Sequence, residues 1–172
     1  MTELLILAIL LNGELTIYKI KQKIKNNFSV FLSASFGSIH PAVTKLEKNG
    51  FISAKRKMSA GGQKSSTYFI TAEGKEYFKE LMTSEIIESP ACSNQLINIK
   101  IMLLDLLDEN LRKKTLDSIK KYYELYLLNT EELLETLEKT QIKDKNFFQI
   151  KLLKHLSEKI SRELNWIQNI KV

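Results

Sequence analysis

The residues with the clearest chemical potential lie between positions 35 and 48, where small polar and basic side chains alternate with apolar ones. Ile39, Ala42, Val43 and Leu46 follow the i, i+3, i+4, i+7 spacing of a buried helix face. The hydroxyl, imidazole and ammonium groups between them would then face solvent, and such groups bind base edges and phosphates. The alternative for each lysine is a solvated helix face. The residues predicted on this DNA-contacting face are Ser35, Gly37, Ser38, His40, Pro41, Thr44, Lys45 and Lys48.

Positive charge is concentrated in the first half of the 172-residue chain. Residues 1–80 contain 12 Lys or Arg against 6 Asp or Glu, whereas residues 81–172 contain 14 of each kind. A localised basic excess is expected of a protein that contacts phosphate groups. A basic surface without a partner is the alternative that charge alone leaves open.

Catalytic and metal chemistry find little support in the sequence. His40 and His155 are the only histidines, and no carboxylate stands near either at the spacing of a metal site. Cys92 is the single cysteine, which excludes an intrachain disulfide and leaves a buried or half-buried thiol or a redox sensor as its interpretations. The sequence holds no phosphate-binding glycine loop, nucleophile elbow or zinc-protease motif. We therefore expect neither an enzyme nor a cofactor.

The elements that would position this face begin with three helices. A helix is predicted over residues 3–12, and its apolar run is far shorter than the ~20 residues that span a bilayer. We therefore expect a buried helix, no membrane partner and a cytoplasmic protein. Thr16 is a suitable N-cap for a second helix. The third should begin between Ser35 and Ser38, because Pro41 then stays in its first turn.

A β-hairpin and a fourth helix are predicted to follow. Residues 51–58 and 63–70 are β-capable and flank Gly61 and Gly62, which permit a tight turn. Lys64 and three other basic residues of this hairpin could reach a phosphate strand or the minor groove. Thr71 is a suitable cap for the fourth helix. This order of elements is that of a winged helix-turn-helix, whose third helix enters the major groove.

Residues 92–172 predict a helical dimerisation domain, separated near Pro90 from a DNA-binding domain at 1–88. We expect an apolar helix over about 94–108, a break at 108–110, a long helix to about 140 and a last helix from about 146. The fold class is therefore mainly α, with antiparallel, coiled-coil-like helices in the second domain. Their apolar seam could pack within the chain or against a second copy. The residues assigned to dimerisation are Leu116, Ile119, Tyr123, Tyr126, Leu133, Leu137, Leu156, Ile160, Trp166 and Ile167.

Four segments resemble PadR-type transcriptional regulators. S-F-G-S-I-H-P-A-V-T-K-L-E-K-N-G-F-I (35–52) is similar to the family's recognition-helix signature, although Phe36 and His40 stand where tyrosines are usual. G-E-L-T-I-Y-K-I (13–20) looks like its second-helix segment, with Ile17 at the position of a glycine. Gly61-Gly62 and Y-F-I-T-A-E-G (68–74) resemble its wing and next helix, although Q-K-S-S (63–66) replaces a more basic stretch. R-E-L-N-W-I (162–167) resembles the closing pattern of longer-tailed members.

The resemblance implies a homodimer that binds an inverted-repeat operator in double-stranded DNA, mostly as a repressor. It also implies that Tyr18 touches the DNA backbone, the alternative being a half-buried packing tyrosine. Some PadR-like regulators release DNA on binding small aromatic molecules. The tail is rich in aromatic residues, so a small aromatic effector is one interpretation, and core or dimer packing is the other. The alternative function is a protein-interaction module of the same fold that lacks specific DNA binding. The aromatic residues concerned are Tyr122, Tyr123, Tyr126, Phe147, Phe148 and Trp166.

Overall fold

The structure is a computed structural model that describes residues 1–31, 36–58, 64–87, 90–139 and 146–171. Its contacts divide the chain into an N-terminal unit, Met1–Ser84 with Glu88–Leu111, and a tail unit, Glu85–Ile87 with Arg112–Val172. Residues up to 111 therefore group with the first unit by packing. The division into functional domains at 1–88 and 92–172 stays a prediction.

The N-terminal unit has the predicted order of helix, helix, helix, hairpin and helix. Its first part comprises α1 (Thr2–Leu10), β1 (Leu15–Thr16), α2 (Ile17–Phe28), a 3₁₀ turn (Phe36–Ser38) and α3 (Ile39–Lys48). The second part comprises β2 (Ile52–Met58), β3 (Lys64–Ile70), α4 (Ala72–Thr83), α5 (Pro90–Met102) and a 3₁₀ turn (Leu104–Leu106). The mainly α, winged helix-turn-helix class predicted from the sequence is confirmed.

Helix α1 lies at the centre of this unit. Every residue from Leu4 to Leu10 is at most 5% exposed, because α2, α3, α4 and β3 all contact the helix. This surrounding explains why the helix is apolar all round rather than amphipathic. The helices against it contribute one buried stripe each, such as Ile20 and Ile24 from α2 and Val43 and Leu46 from α3. Within the described helices, none combines enough length with enough apolar character to cross a bilayer.

The wing is a three-stranded antiparallel sheet in the order β1-β3-β2. Strand β2 pairs with β3 along its whole length, from Ile52 opposite Ile70 to Met58 opposite Lys64, as the hairpin prediction requires. Strand β1 was not predicted, because two residues are too few to show an alternating pattern. The turn with Gly61 and Gly62 lies outside the described residues, as does Ser35.

Both predicted helix caps are confirmed. Thr16 Oγ1 accepts a hydrogen bond from the backbone N–H of Lys19 at 3.3 Å, at the start of α2. Thr71 Oγ1 accepts from the N–H of Gly74 at 3.0 Å and donates to the carbonyl oxygen of Gly50 at 2.7 Å. Thr71 thus fixes the start of α4 to the turn that ends α3. Helix α3 begins at Ile39, one residue later than the predicted range of Ser35 to Ser38, because a 3₁₀ turn occupies Phe36–Ser38. Pro41 lies in its first turn, as expected.

The predicted helix over 94–108 is wrong at both ends. Helix α5 begins at Pro90, because proline fits the first turn of a helix, where its missing N–H would be unpaired anyway. It ends at Met102, after which the N–H of Leu103 bonds to Ile99 and Lys100 carbonyls and a 3₁₀ turn follows. The side chain of Asp108 then caps the next helix.

That helix, α6 (Glu109–Lys139), and α7 (Phe147–Gln168) account for most of the tail unit. The two helices run antiparallel, since residues late in α6 contact residues early in α7, and residues early in α6 lie near residues late in α7. Lys154 Nζ lies 2.7 Å from Glu138 Oε1, and the Ser157 hydroxyl lies 3.4 Å from Glu131 Oε1. At the other end, Leu116 and Ile167 line one shallow cavity.

Candidate nucleic-acid interface

Helix α3 and the 3₁₀ turn before it present a continuous polar face to solvent. The apolar positions Ile39, Ala42, Val43 and Leu46 are buried, so the positions between them point outward. All seven predicted contact residues described in this segment are exposed: Gly37, Ser38, His40, Pro41, Thr44, Lys45 and Lys48. We refer to these seven residues as the α3 face.

Local hydrogen bonds set what two hydroxyls of the α3 face can do. The Thr44 hydroxyl donates to the His40 carbonyl oxygen at 3.1 Å, so its proton is used inside the helix. Its oxygen keeps lone pairs and can accept from a base amino group. Ser38 Oγ lies 3.4 Å from Thr2 Oγ1, which connects the start of α3 to α1.

Lys45 is paired within the N-terminal unit. Its Nζ lies 2.6 Å from Glu3 Oε1, and the Tyr77 hydroxyl donates to the other Glu3 oxygen at 3.1 Å. The hydrogen bond to Glu3, and then its charge, raise the pKa of Lys45. Burial, followed by the hydrogen bond to Glu3, raises the pKa of Tyr77. The exposed ammonium group of Lys45 is therefore already paired with the Glu3 carboxylate.

Two wing cations are paired in the same way. Lys55 forms an ion pair with Glu14, and its Nζ lies 5.1 Å from the centre of the Phe69 ring. Arg56 Nη2 lies 2.9 Å from Glu47 Oε1. Sequence reasoning missed these pairs, because the partners of Lys45 and Lys55 stand 42 and 41 positions away along the chain. Lys64 is the first residue of β3.

Tyr18 projects from the first turn of α2 and is 68% exposed. The half-buried packing alternative for this residue is therefore wrong. Its hydroxyl oxygen accepts a hydrogen bond from Gln22 Nε2 at 2.9 Å, one turn further along the helix. This leaves the tyrosine proton to donate outward, as a phosphate contact would need.

The predicted dimerisation residues fall into three groups in the tail unit. Leu116, Ile119, Tyr123, Ile160 and Ile167 are buried within the single chain. Tyr126, Leu137 and Leu156 are half-buried. Leu133 and Trp166 are each 50% exposed. Sequence reasoning did not single out further large apolar side chains that are exposed in this unit: Leu125, Leu128 and Leu152.

Aromatic residues cluster on one stretch of α6. The Tyr122 ring centre lies 5.4 Å from that of Tyr123 and 6.0 Å from that of Tyr126. Burial, with smaller contributions from Glu163 and Tyr122, raises the pKa of Tyr123 to about 12. The Tyr122 hydroxyl is buried and has no hydrogen-bond partner among the described residues.

Two further features bear on chemistry. Among the side chains that the structure describes, no three or more His, Cys, Asp or Glu residues are grouped closely enough to hold a metal ion. Cys92 is exposed on α5, so the interpretation of this residue as a buried or half-buried thiol is wrong.

Comparison with known proteins gives one family and several solved structures. The model of the transcriptional regulator PadR-like family matches residues 6–80. The chain is 19% identical to Bacillus subtilis PadR, solved in complex with operator DNA, with 96% of this chain and 94% of that chain covered and a TM-score of 0.43. It is 22% identical to the smu.1604c protein of Streptococcus mutans, with 95% and 98% covered and a TM-score of 0.45.

A PadR-like transcriptional regulator from Bacillus cereus is 21% identical, with 98% of each chain covered and a TM-score of 0.41. No match is found among curated proteins. The family match covers α1 to α4 almost completely, including the α3 face, Tyr18 and the wing. Over its residues 6–80, the chain matches the transcriptional regulator PadR-like family, which is the family that the sequence resemblance predicted.

Proposed function

We propose that this protein is a sequence-specific DNA-binding regulator that inserts α3 into the major groove of double-stranded DNA. The observation that carries the proposal is the α3 face, because seven small, polar or basic residues are exposed within the family-matched segment. The major groove admits an α-helix, and its base edges distinguish all four base pairs. A DNA-binding regulator acts where DNA lies, so the expected cytoplasmic location belongs to the proposal.

The chemistry of the α3 face suggests a division of labour. His40 and Thr44 lie one turn apart and can hydrogen-bond to base edges, Thr44 as an acceptor. Among the described residues, no carboxylate pairs with Lys48, so its ammonium group is available for a phosphate. Gly37 has no side chain and Pro41 has a compact apolar one, so the backbone at these positions could approach the DNA closely.

A homodimer is part of the proposal. Two copies related by a two-fold axis would present two α3 helices to an inverted repeat, with half-sites about 34 Å or a multiple apart. The support is apolar surface that the tail unit leaves uncovered. Phe148 and Leu152 are 81% and 63% exposed, and Trp166 lies on the same side of α7. Repression is the expected direction of control.

Release by a small aromatic effector is the finer part of the proposal. Its support is the Tyr122 hydroxyl, because a buried donor without a protein partner is costly and is a natural anchor for a ligand. Titration of the tryptophan fluorescence with a library of small aromatic acids and phenols tests this. A saturable change that the Tyr122→Phe variant weakens is expected, whereas no saturable change with any compound rejects the effector.

The rival candidate is a protein-interaction module that keeps the fold without reading DNA. The ion pairs of Lys45, Lys55 and Arg56 favour it, because each places a carboxylate beside a cation that would otherwise meet phosphate. The two functions differ in sequence preference. Specific binding leaves preferred sites occupied as salt rises, whereas attraction by basic charge alone does not.

Selection of bound genomic fragments at two salt concentrations, followed by sequencing, tests the proposal. We expect an inverted repeat to be enriched and to persist at the higher salt. The S38A/T44A/K45A variant should lose that enrichment, and a control with three exposed tail lysines replaced, K114Q/K121Q/K159Q, should keep it. Absence of any enriched site for the wild-type protein would reject specific DNA binding in favour of the interaction module.

A further inference from the structure

Helix α2 carries three exposed lysines that no carboxylate among the described residues neutralises. Its twelve residues, Ile17–Phe28, include four lysines and no Asp or Glu. Lys19, Lys23 and Lys25 are exposed, and no carboxylate among the described residues pairs with them. The contrast with Lys45, Lys55 and Arg56 is clear, because those three are all paired. Mutual repulsion among Lys19, Lys23 and Lys25 is relieved when a polyanion lies against the helix.

The exposed surface of α2 is divided into two sides. Successive residues turn by about 100° around a helix, which places Tyr18 roughly 20° and Gln22 roughly 60° from Lys25. Lys19 and Lys23 fall roughly 120° and 160° from Lys25 on the same count. Tyr18, Gln22 and Lys25 therefore form one stripe, and Lys19 and Lys23 lie on the other side of the buried face.

We propose that Tyr18, Gln22 and Lys25 form a single phosphate-binding stripe on α2, in which Gln22 positions the Tyr18 hydroxyl and Lys25 supplies the charge. This deepens the proposed function and rests on it. The Gln22 amide donates to the Tyr18 oxygen at 2.9 Å, which holds a mostly exposed aromatic side chain in place and directs its proton outward. Lys25 extends the same stripe about one turn beyond Gln22. In a helix-turn-helix protein the helix before the recognition helix crosses the DNA backbone, so phosphates are the groups that this stripe would meet.

Salt dependence separates the two sides of the helix. The probe is a random-sequence DNA duplex several helical turns long, because phosphate contacts carry no sequence information. Replacing a lysine that neutralises one phosphate lowers the slope of log K against log salt by about 0.9. We expect Lys25→Gln to show this change and Lys23→Gln, with the same loss of charge on the same helix, to keep the wild-type slope. Equal slopes for the two variants would overturn the proposal.

The role of Gln22 is tested by a double-mutant cycle with Tyr18→Phe. If Gln22 acts through the tyrosine hydroxyl, Gln22→Ala weakens binding by about three- to tenfold in the wild-type background, the size of one hydrogen bond. In the Tyr18→Phe background, Gln22→Ala should then leave the affinity for DNA unchanged. Additive losses would show that Gln22 does not position Tyr18 and would overturn that part. The proposed function is tested separately, by the wild-type protein alone. If the wild-type protein binds no duplex at all, the proposed function itself is rejected.

Discussion

Lys45 and Glu3 form an ion pair across the N-terminal unit, with Lys45 Nζ 2.6 Å from Glu3 Oε1. Tyr77 holds the second oxygen of the same carboxylate. A residue of α1 and a residue of α4 thus set the electrostatic environment of the Lys45 ammonium group on α3. For a phosphate to bind Lys45, it must displace or share the lysine with Glu3.

Removing the Glu3 charge should therefore strengthen binding to DNA. We expect Glu3→Gln to tighten binding to a random-sequence duplex and to steepen its salt dependence by up to about 0.9, the value for one additional phosphate contact. Fluorescence anisotropy titrations at several salt concentrations measure both quantities. Glu158→Gln, which removes an exposed carboxylate from the tail unit, controls for net charge. Identical slopes for the two variants would show that Lys45 does not contact phosphate.

The sequence predicted correctly that the residues of the α3 face are exposed, because one local pattern determines it. Ile39, Ala42, Val43 and Leu46 lie within two turns, so their spacing alone shows which side of the helix is buried. The Lys45–Glu3 pair could not be predicted in this way, because 42 positions separate the partners and only the packing of α1 against α3 brings them together. The same applies to β1, which exists because β3 is available to pair with it.

The ends of α5 show a second limit. Its residues are apolar or small on several sides, so no amphipathic stripe indicates where the helix ends. The sequence 103–107 continues the apolar run, yet the backbone there makes a 3₁₀ turn. Local composition cannot distinguish these two conformations, because tertiary contacts decide between them.

Gly74 should tolerate no side chain. A Cβ atom at this position would lie 1.9 Å from the Phe51 carbonyl oxygen and 2.8 Å from the Phe51 carbonyl carbon. The Phe51 backbone is itself held by hydrogen bonds from its N–H to Leu46 and from the Thr71 N–H to its oxygen. We expect Gly74→Ala to lower the free energy of unfolding by about 3 kcal/mol, because a backbone must shift. Urea unfolding followed by circular dichroism measures this loss.

Gly37 is the matched control for that substitution and a separate test of the α3 face. No atom lies within 4 Å of a Cβ built on it, so Gly37→Ala should change the free energy of unfolding by less than about 0.5 kcal/mol. A methyl group on a surface pressed against DNA should nevertheless weaken binding. If Gly37→Ala binds DNA as the wild type does, the backbone at this position does not approach the duplex closely.

Tyr123 should make the protein sensitive to alkali. Its pKa of about 12 in the folded chain exceeds the ordinary value of 10.0, so between these values the unfolded chain loses a proton that the folded chain keeps. The stability linked to this group is therefore complete below about pH 10 and falls as pH rises towards 12, by at most about 3 kcal/mol. Urea unfolding across this range should show a shallower decline for Tyr123→Phe than for the wild type. Tyr18→Phe, at an exposed tyrosine, should decline as the wild type does.

Trp166 should be important for dimerisation, although it was predicted beside residues that are now seen to be buried within one chain. It is 50% exposed and lies on the same side of α7 as Phe148 and Leu152. Large, rigid aromatic residues on apolar surfaces often lie at the centre of protein interfaces. Loss of such a residue commonly weakens association by roughly tenfold or more. We expect Trp166→Glu to shift the protein towards monomer in sedimentation velocity measured over a range of concentrations.

The control for Trp166 introduces the same charge elsewhere on the helix. Ser161 is exposed and lies roughly 140° around α7 from Trp166, counting about 100° per residue. Ser161→Glu should therefore remain dimeric and keep its preference for an inverted repeat. Trp166→Glu should lose that preference and retain weak, salt-sensitive binding to any duplex. This pattern follows from the proposed dimer, in which each protomer would bind one half-site and the tail would hold the two protomers together. A wild-type protein that is monomeric at every concentration, or two variants that dissociate equally, would contradict an interface centred on this face of α7.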